Sequence, residues 1–520
     1  MTGPSSRGGR LAALASGALA AGAALATGEL LAGLLPGAPS PILSVGRLVV
    51  DLQPPGAKEV VVDLFGTADK LALQVLIVAL VLAIGAGLGW LGQQRLGVAM
   101  AAFVAFAGFG FLAASRDPNV EPAVAALAAA GVAAVGVATL SWLLAAAGLV
   151  VASSAESGAV MPDWSRRGFL VRGATLAVGS LVAGRFGRSL LEGSRQTPTD
   201  AGLPGATSVP ALPAGAELDV AGITPLLVPN GDFYKIDTSL IPPSVDRASW
   251  RLRVHGRVDR EVELDYDELI ALAPFEQYVT IACVSNRVGG DLIGNAKWTG
   301  VRLRDVLNMA GVQPAATQLV GRSVDGWTAG MPTSWILDPG REPMIAVGMN
   351  GQPLPRDHGY PARLIVPGLY GYVSATKWLT ELELTTLEAF DAYWVPLGWS
   401  KEAPVLTQSR IDVPHHFDRV KAGPITVAGV AWAMDRGVKA VEIAIDGADD
   451  GSGDWQPATL STPISAATWV QWTATWPATA GEHSIAVRAT DGSGAVQTAE
   501  RSRPDPDGAR GHHTIRVTVV

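Results

Sequence analysis

Cysteine is almost absent from this sequence. Cys283 is the single example in 520 residues, and that scarcity excludes more than any other feature of composition. An intrachain disulfide framework, an all-cysteine zinc or iron–sulfur cage and a C-x-x-C-H haem attachment are all ruled out. Long basic runs are missing too. The formal charge is -8, and without clustered Lys and Arg nothing neutralises the phosphates of a nucleic acid. Charged residues make up only 17% of the chain and are scarcest before Leu191, where Ala, Leu, Val and Gly dominate. A chain of this length exceeds what one hydrophobic core organises, so several domains are expected.

What the first third does contain is long apolar runs, at Leu11–Leu35, Leu71–Leu91, Val98–Ala114, Val124–Ala152 and Phe169–Leu191. Each is near the ~20 residues that cross the hydrocarbon core of a bilayer. Buried helices of a soluble protein are the alternative, but five such runs in succession leave no polar face for water. An odd number of spans puts the two ends of the region on opposite sides of the membrane. Arg7, Arg10, Arg95, Arg166 and Arg167 fall on one side, which the positive-inside rule makes cytoplasmic, and the long segment after Leu191 is then outside. Arg47, Lys58 and Arg116 lie in the opposite loops, accompanied by Asp51, Glu59, Asp63 and Asp117. The spans contain no histidine to hold haem. They also lack paired intramembrane charges and a repeat of two halves, which argues against a transporter.

The fifth span begins Ser165-Arg166-Arg167-Gly168-Phe169-Leu170, which resembles the S-R-R-x-F-L signal of the twin-arginine export pathway. An ordinary juxtamembrane arginine pair is the alternative. Export of a folded domain suits a protein whose cofactor is inserted in the cytoplasm. No small-residue cleavage site follows, so the helix is expected to stay as an anchor.

Residues 193–215 are rich in Pro, Thr, Ser and Gly and read as a flexible linker. In 216–405, strand-like runs (Trp250–Val254, Tyr278–Ala282, Arg363–Val366) alternate with helical patterns (Asp265–Ala273, Leu303–Ala310), predicting an α+β domain. From 406 to 520 the pattern is strands only, at Ile425–Trp432, Lys439–Ile445, Trp469–Trp476 and Glu482–Thr490, with turn dipeptides Asp446-Gly447 and Asp491-Gly492. Regular strand spacing with inward Trp and Val fits an immunoglobulin-like β-sandwich. The fold class is therefore multidomain: a membrane bundle of five helices over 1–192, then the α+β domain, then the sandwich.

Cys283 ends the run Tyr278-Val279-Thr280-Ile281-Ala282 and enters Val284-Ser285-Asn286-Arg287-Val288-Gly289-Gly290. A lone cysteine is ordinarily a small buried core residue. A strand end leading into a Gly-rich loop with an adjacent arginine is, however, where a thiolate meets a soft metal. A second cluster runs from His358 through Arg363 and Ser374 to Lys377-Trp378, among Pro and Gly turns. By itself it reads as a structural loop around a strand, yet its cations beside turning backbone also suit an anionic ligand.

Cys283 with Asn286-Arg287, then Trp298-Thr299-Gly300-Val301-Arg302-Leu303, then the His358–Trp378 segment, resemble the sulfite oxidase family of molybdopterin enzymes. The likeness runs from about Gly222 to the C-terminus, the last part being similar to the family's dimerisation domain, while the membrane third lies outside it. The resemblance implies a molybdenum–molybdopterin cofactor with Cys283 as the metal's protein ligand. It implies that Asn230, Phe233, Tyr234, Lys235, Asp325, His358, Arg363, Ser374 and Lys377 line or hold the pterin. Arg287 and Tyr393 would stabilise charge on the substrate oxygen. Sulfite oxidases bring arginines to the substrate from the early segment and from beyond the cysteine loop. Here Lys235 and Val288 stand in those places, so the substrate stays open between a small sulfur oxyanion and a sulfoxide.

The expected activity is thus two-electron oxygen-atom transfer outside the cytoplasmic membrane, with an external redox protein or a quinone as electron partner and a homodimer through the C-terminal domain. A non-catalytic membrane-anchored binding protein that keeps the fold is the alternative.

Overall fold

The computed structural model describes all residues except 1–6, 36, 55–60, 62–63, 66–67, 118–119, 150–164, 194–201 and 448–452. The side chains of Arg7, Ser165 and Arg166 also lie outside the described residues, as do Lys58, Glu59, Asp63 and the first part of the expected linker. Contacts divide the chain into two units, Met1–Gln196 with Thr238–Ser244, and Thr197–Asp237 with Val245–Val520.

The first unit is helical: α1 (Arg7–Leu34), α2 (Pro41–Asp51), α3 (Asp69–Gly92), α4 (Leu96–Ala114), α5 (Pro122–Ala146) and α6 (Ser165–Gly193). All but α2 are long and apolar enough to cross a membrane. Within the Val124–Ala152 run, helix α5 ends at Ala146, and residues 150–152 lie outside the described residues.

Helix α1 packs along α3, α5 and α6. Its buried residues are small, among them Ala13, Ser16, Ala20 and Ala24. Small side chains let the helix axes approach closely. A Cβ added to Gly17 would lie within 2.5 Å of Gly89 N and closer still to Gly85 O, so α1 and α3 touch backbone to backbone there.

Helix α2 replaces what the sequence suggested was loop. It starts at Ser40, whose hydroxyl accepts the Leu43 N–H, with Pro41 in the first turn where its missing N–H costs nothing. The expectation that the spans hold no paired charge fails. Glu29 of α1 is buried, accepts the Ser40 hydroxyl at 2.6 Å and faces Arg188 of α6 at 3.7 Å.

The second unit holds four sheets. Its α+β part comprises β1 (Arg251–Gly256), β2 (Val262–Asp265), β3 (Phe275–Ala282), β4 (Ile293–Arg302), β5 (Gln318–Ser323), β6 (Thr328–Pro332), β7 (Met344–Met349), β8 (Gln352–Pro353), β9 (Arg363–Ile365) and β10 (Leu379–Thr385). One sheet runs β2-β1-β10-β5-β6 with β1 and β10 parallel, and the other runs β3-β4-β7-β8 with β9 also on β7. Short helices α7 (Tyr266–Ile270) and α8 (Leu303–Ala310) fall inside the expected patterns, α7 opening with a reciprocal Asp265–Glu268 capping box.

The C-terminal part is all β: β11 (Gln408–Val413), β12 (Arg419–Val420), β13 (Gly423–Trp432), β14 (Val438–Ile445), β15 (Trp455–Pro457), β16 (Thr459–Leu460), β17 (Val470–Ala478), β18 (Gly481–Asp491) and β19 (His513–Val519). Its two sheets, β11-β13-β17-β16 and β12-β19-β18-β14-β15, enclose a core that includes Val427, Trp472, Ile485 and Val517.

Two of its tryptophans do not serve that core. Trp432 and Trp469 join the core of the α+β part, and the Trp469 indole donates to the Leu226 carbonyl at 3.1 Å. The segment 202–215, expected to be free linker, is likewise tied down: Thr207 N–H donates to Pro274 O at 2.7 Å, and Ser208 bridges Phe275.

Candidate active site

Strands β3 and β4 form an antiparallel hairpin whose pairs end at Ala282–Ile293, and the Cys283 N–H extends it by donating to Leu292 O at 2.9 Å. Alternation along a strand puts Val279 and Ile281 on one face, in a core shared with Phe233, Trp298 and Tyr360. Cys283 continues that face at the strand end and is buried. The loop beyond it is closed from inside, because buried Asn286 donates its N–H to Cys283 O at 3.0 Å and accepts the Leu292 N–H on its side-chain oxygen at 2.9 Å.

Around this face the structure gathers most of the residues singled out above. Phe233 stacks on Tyr234 at 5.3 Å and meets Trp298 and His358 edge-on at 6.0 and 5.6 Å. Gly294 makes this possible, since a Cβ there would lie 2.6 Å from the Phe233 ring. The His358 Nε2 proton goes to the Asn230 carbonyl at 2.9 Å. Burial, with the nearby Lys377 and Arg363 cations, pushes the His358 pKa down to about 4, so the imidazole is neutral. Asn230 is fixed in turn by Met349 O and Asn350.

Arg363 is 2% exposed, donates Nη1 to His358 O at 3.0 Å and lies over the Trp298 ring at 5.1 Å. Burial lowers its pKa to about 10, still charged at neutral pH. Its Nε is buried with no hydrogen-bond partner. A fully buried guanidinium N–H without an acceptor is a costly arrangement that an anionic ligand would relieve.

Lys377 pairs with Asp237 at 2.9 Å and donates to Asp357 O, while Lys235 pairs with Asp357 at 2.7 Å. Ser374 is buried and donates to the Tyr370 carbonyl at 3.0 Å, and Asp325 accepts the Trp327 N–H within its own turn.

Arg287 is exposed on the cysteine loop. Tyr393 is anchored by other partners, its N–H on the Thr328 hydroxyl and its ring edge-on to Trp394. Tyr234 and Tyr370 lie close enough to Cys283 to feel a charge on its sulfur. Burial raises both pKa values, and a thiolate at Cys283 raises them further, so both hydroxyls keep their protons. Tyr370, Asp237 and Asn286 were not among the expected site residues. Asn286 and Tyr370 lie inside the quoted motifs and Asp237 stands two residues after Lys235, but nothing in the sequence marked a role for them.

A neutral histidine, a buried arginine with a spare donor, an aromatic wall and one thiol on the same face make a donor set that fits a metal–pterin group bearing an anionic end. Those features define an oxidoreductase domain of the pterin-binding class. Residues 239–394 match the family described as the oxidoreductase molybdopterin binding domain. Sulfite oxidase from Gallus gallus is 31% identical over 318 residues, covering 52% of this chain and 68% of that protein. Mitochondrial sulfite oxidase from Homo sapiens is 32% identical over the same length, with 57% of its own length covered, so the chain spans little more than half of that relative. The crystal structure of the sulfane dehydrogenase SoxCD from Paracoccus pantotrophus shares the fold, with a TM-score of 0.50 and 22% identity over 56% of this chain and 81% of that one.

The chain belongs to the sulfite oxidase family of molybdopterin oxidoreductases, whose cofactor is the molybdenum–molybdopterin group.

Proposed function

We propose that this protein is a membrane-anchored molybdenum-cofactor oxidoreductase that transfers an oxygen atom to or from a small sulfur oxyanion or a sulfoxide, two electrons passing in the opposite direction. The observation that carries the reading is the grouping of Tyr234, close enough to feel both Cys283 and Arg363, with His358 bonded to Arg363 and one buried Arg363 donor lacking a partner.

In this reading the Cys283 thiolate is the metal's protein ligand. Arg363, His358, Lys377 and Ser374, with the Asn230–Lys235 segment and Asp325, hold the pterin and its phosphate. When bound, that group supplies the oxygen-atom exchange. The protein's part is to bind, orient and keep protons in place. Tyr234 and Tyr370, protonated across the physiological range and close enough to feel a charge at Cys283, join Tyr393 as hydroxyls available to stabilise charge on the substrate oxygen. Arg287, exposed on the cysteine loop, draws the anionic substrate in.

Electrons then pass to or from an external redox protein or a quinone. The exposed large apolar side chains of the helical unit, such as Leu71, Phe106 and Leu181, support insertion in the cytoplasmic membrane. The cation bias supports an external catalytic part, delivered by the twin-arginine signal at Ser165–Leu170. The C-terminal two-sheet part is read as immunoglobulin-like, with a role in homodimer formation.

Molybdenum and pterin analysis of the purified chain, with turnover assays on sulfite and on sulfoxides, tests the reading. About one metal per chain and turnover of one substrate class are expected. A folded chain that takes up no molybdenum and turns over neither class would instead be a membrane-anchored binding protein.

A further inference from the structure

The loop that follows Cys283 is gripped from the C-terminal sheets by two residues that the proposed function does not use. Gly289 has φ +77, and a Cβ there would sit 2.3 Å from the His513 ring, with His513 Nε2 at 2.4 Å. The next residue, Gly290, offers its carbonyl to Arg410 Nη1 at 2.8 Å. His513 begins β19 and Arg410 lies in β11, strands of different sheets. The two are locked together at that seam, because the Ile411 N–H donates to His513 Nδ1 at 3.0 Å. The other ring nitrogen, which faces Gly289, therefore carries the proton. Arg410 is held in turn by Asp412 at 2.7 Å and by the Thr224 hydroxyl at 2.6 Å.

The loop itself is stiffened by short internal bonds. Gly290 N–H donates to Arg287 O, and Asn286 bonds both Cys283 and Leu292. A constraint on the two glycines is therefore passed to the sulfur through two consecutive hydrogen-bonded turns, Arg287–Gly290 and Cys283–Asn286, braced by the Asn286 side chain on Leu292.

We propose that His513 and Arg410 are positioning residues: they clasp Gly289 and Gly290 and so set where the Cys283 sulfur stands. The C-terminal sheets are then a working part of the active site and not solely a contact between copies. For its catalytic meaning the proposal rests on Cys283 being the metal ligand, but the clasp itself can be measured without metal.

Cys283 is the only thiol, so alkylation of the full-length, detergent-solubilised chain in its cofactor-free form reports on one sulfur. His513→Ala and Arg410→Gln are each expected to speed alkylation about tenfold or more by favouring local opening of the loop. His513→Asn keeps an acceptor for Ile411 but withdraws the ring from Gly289, and is expected to behave like His513→Ala. In the loaded enzyme the same variants lower kcat with little change in KM and alter the molybdenum paramagnetic signal. Alkylation within twofold of the parent in folded His513→Ala and His513→Asn would overturn the clasp. If Arg410→Gln does not fold, the two histidine variants carry the test. Faster alkylation in a chain that never takes up molybdenum supports the clasp and removes the metal-ligand reading instead.

Discussion

The helical unit and the sheet-rich unit put their large apolar side chains in opposite places. In the sheets, Trp298, Trp378, Trp432, Trp469 and Trp472 are fully buried, and exposed large apolar side chains such as Phe417 are few. In the helices the buried residues are mostly alanines and glycines with Ser16 and Glu29, while Leu71, Leu127 and Leu181 are 63%, 73% and 73% exposed. Water drives large apolar groups inward; a hydrocarbon surrounding gives them no reason to hide, and close packing of small residues then decides which faces meet. The helical pattern is the one expected of segments long and apolar enough to cross a membrane.

Four experiments would break or sharpen that comparison. The largest effect is chemical. Cys283→Ser keeps the volume of the loop residue but removes the soft ligand, so turnover should fall by on the order of a thousandfold or more, about 4 kcal/mol of barrier, with circular dichroism unchanged. Undiminished turnover would end the ligand assignment.

Next comes packing. Trp298→Ala opens a hole beneath Phe233 and Arg363 and should cost about 3–5 kcal/mol in denaturant unfolding. Leu181→Ala, at an outward position of α6, should shift the melting of the helical signal by less than about 0.5 kcal/mol in detergent. Equal losses at the two sites would refute the inside-out contrast. Gly17→Val falls between them in reach: its new side chain meets Gly85 and Gly89 backbone, so α1 and α3 must separate and the helical signal should melt earlier, while pterin binding by the sheets is retained.

The smallest effect is on pH dependence. His358 takes up its proton near the ordinary 6.5 in the unfolded chain but only at about 4 when folded. The unfolded state therefore binds the proton first as pH falls. This contribution to stability is complete above about 6.5 and is lost toward 4, at up to about 1.4 kcal/mol per pH unit. His513, also held down to about 4 by burial, adds in the same sense. Unfolding curves of His358→Asn between pH 4 and 7 should be flatter than those of the parent, and identical slopes would show that the ring is not held neutral.

Much of the layout was legible in sequence because it depends on local pattern. Five apolar runs give five helices, and period-two runs such as Ile425–Trp432 give strands. The cluster around His358 and Arg363 was legible through motif resemblance, not through periodicity. Helix α2 was hidden because its signal, a serine and proline start followed by one amphipathic stretch, is as short as a loop. The Glu29–Arg188 pair was hidden because its partners are far apart in the chain. Tyr370 was passed over because a phenol inside a long quoted segment carries no local mark of what it will face.

The chain by itself determined which segments are helix and which are strand, which single sulfur was available to a metal, and which part is suited to a lipid surrounding. Side-chain period, hydrophobicity and residue count are properties of short stretches, so no long-range contact was needed for them. Tertiary structure alone decided that Tyr234 and Tyr370 come close enough to feel a charge at Cys283, that Trp432 and Trp469 serve the neighbouring core, and that β11 and β19 grip the cysteine loop. Each of those pairs residues on different strands or sheets, and their distance is set only when every intervening element has packed.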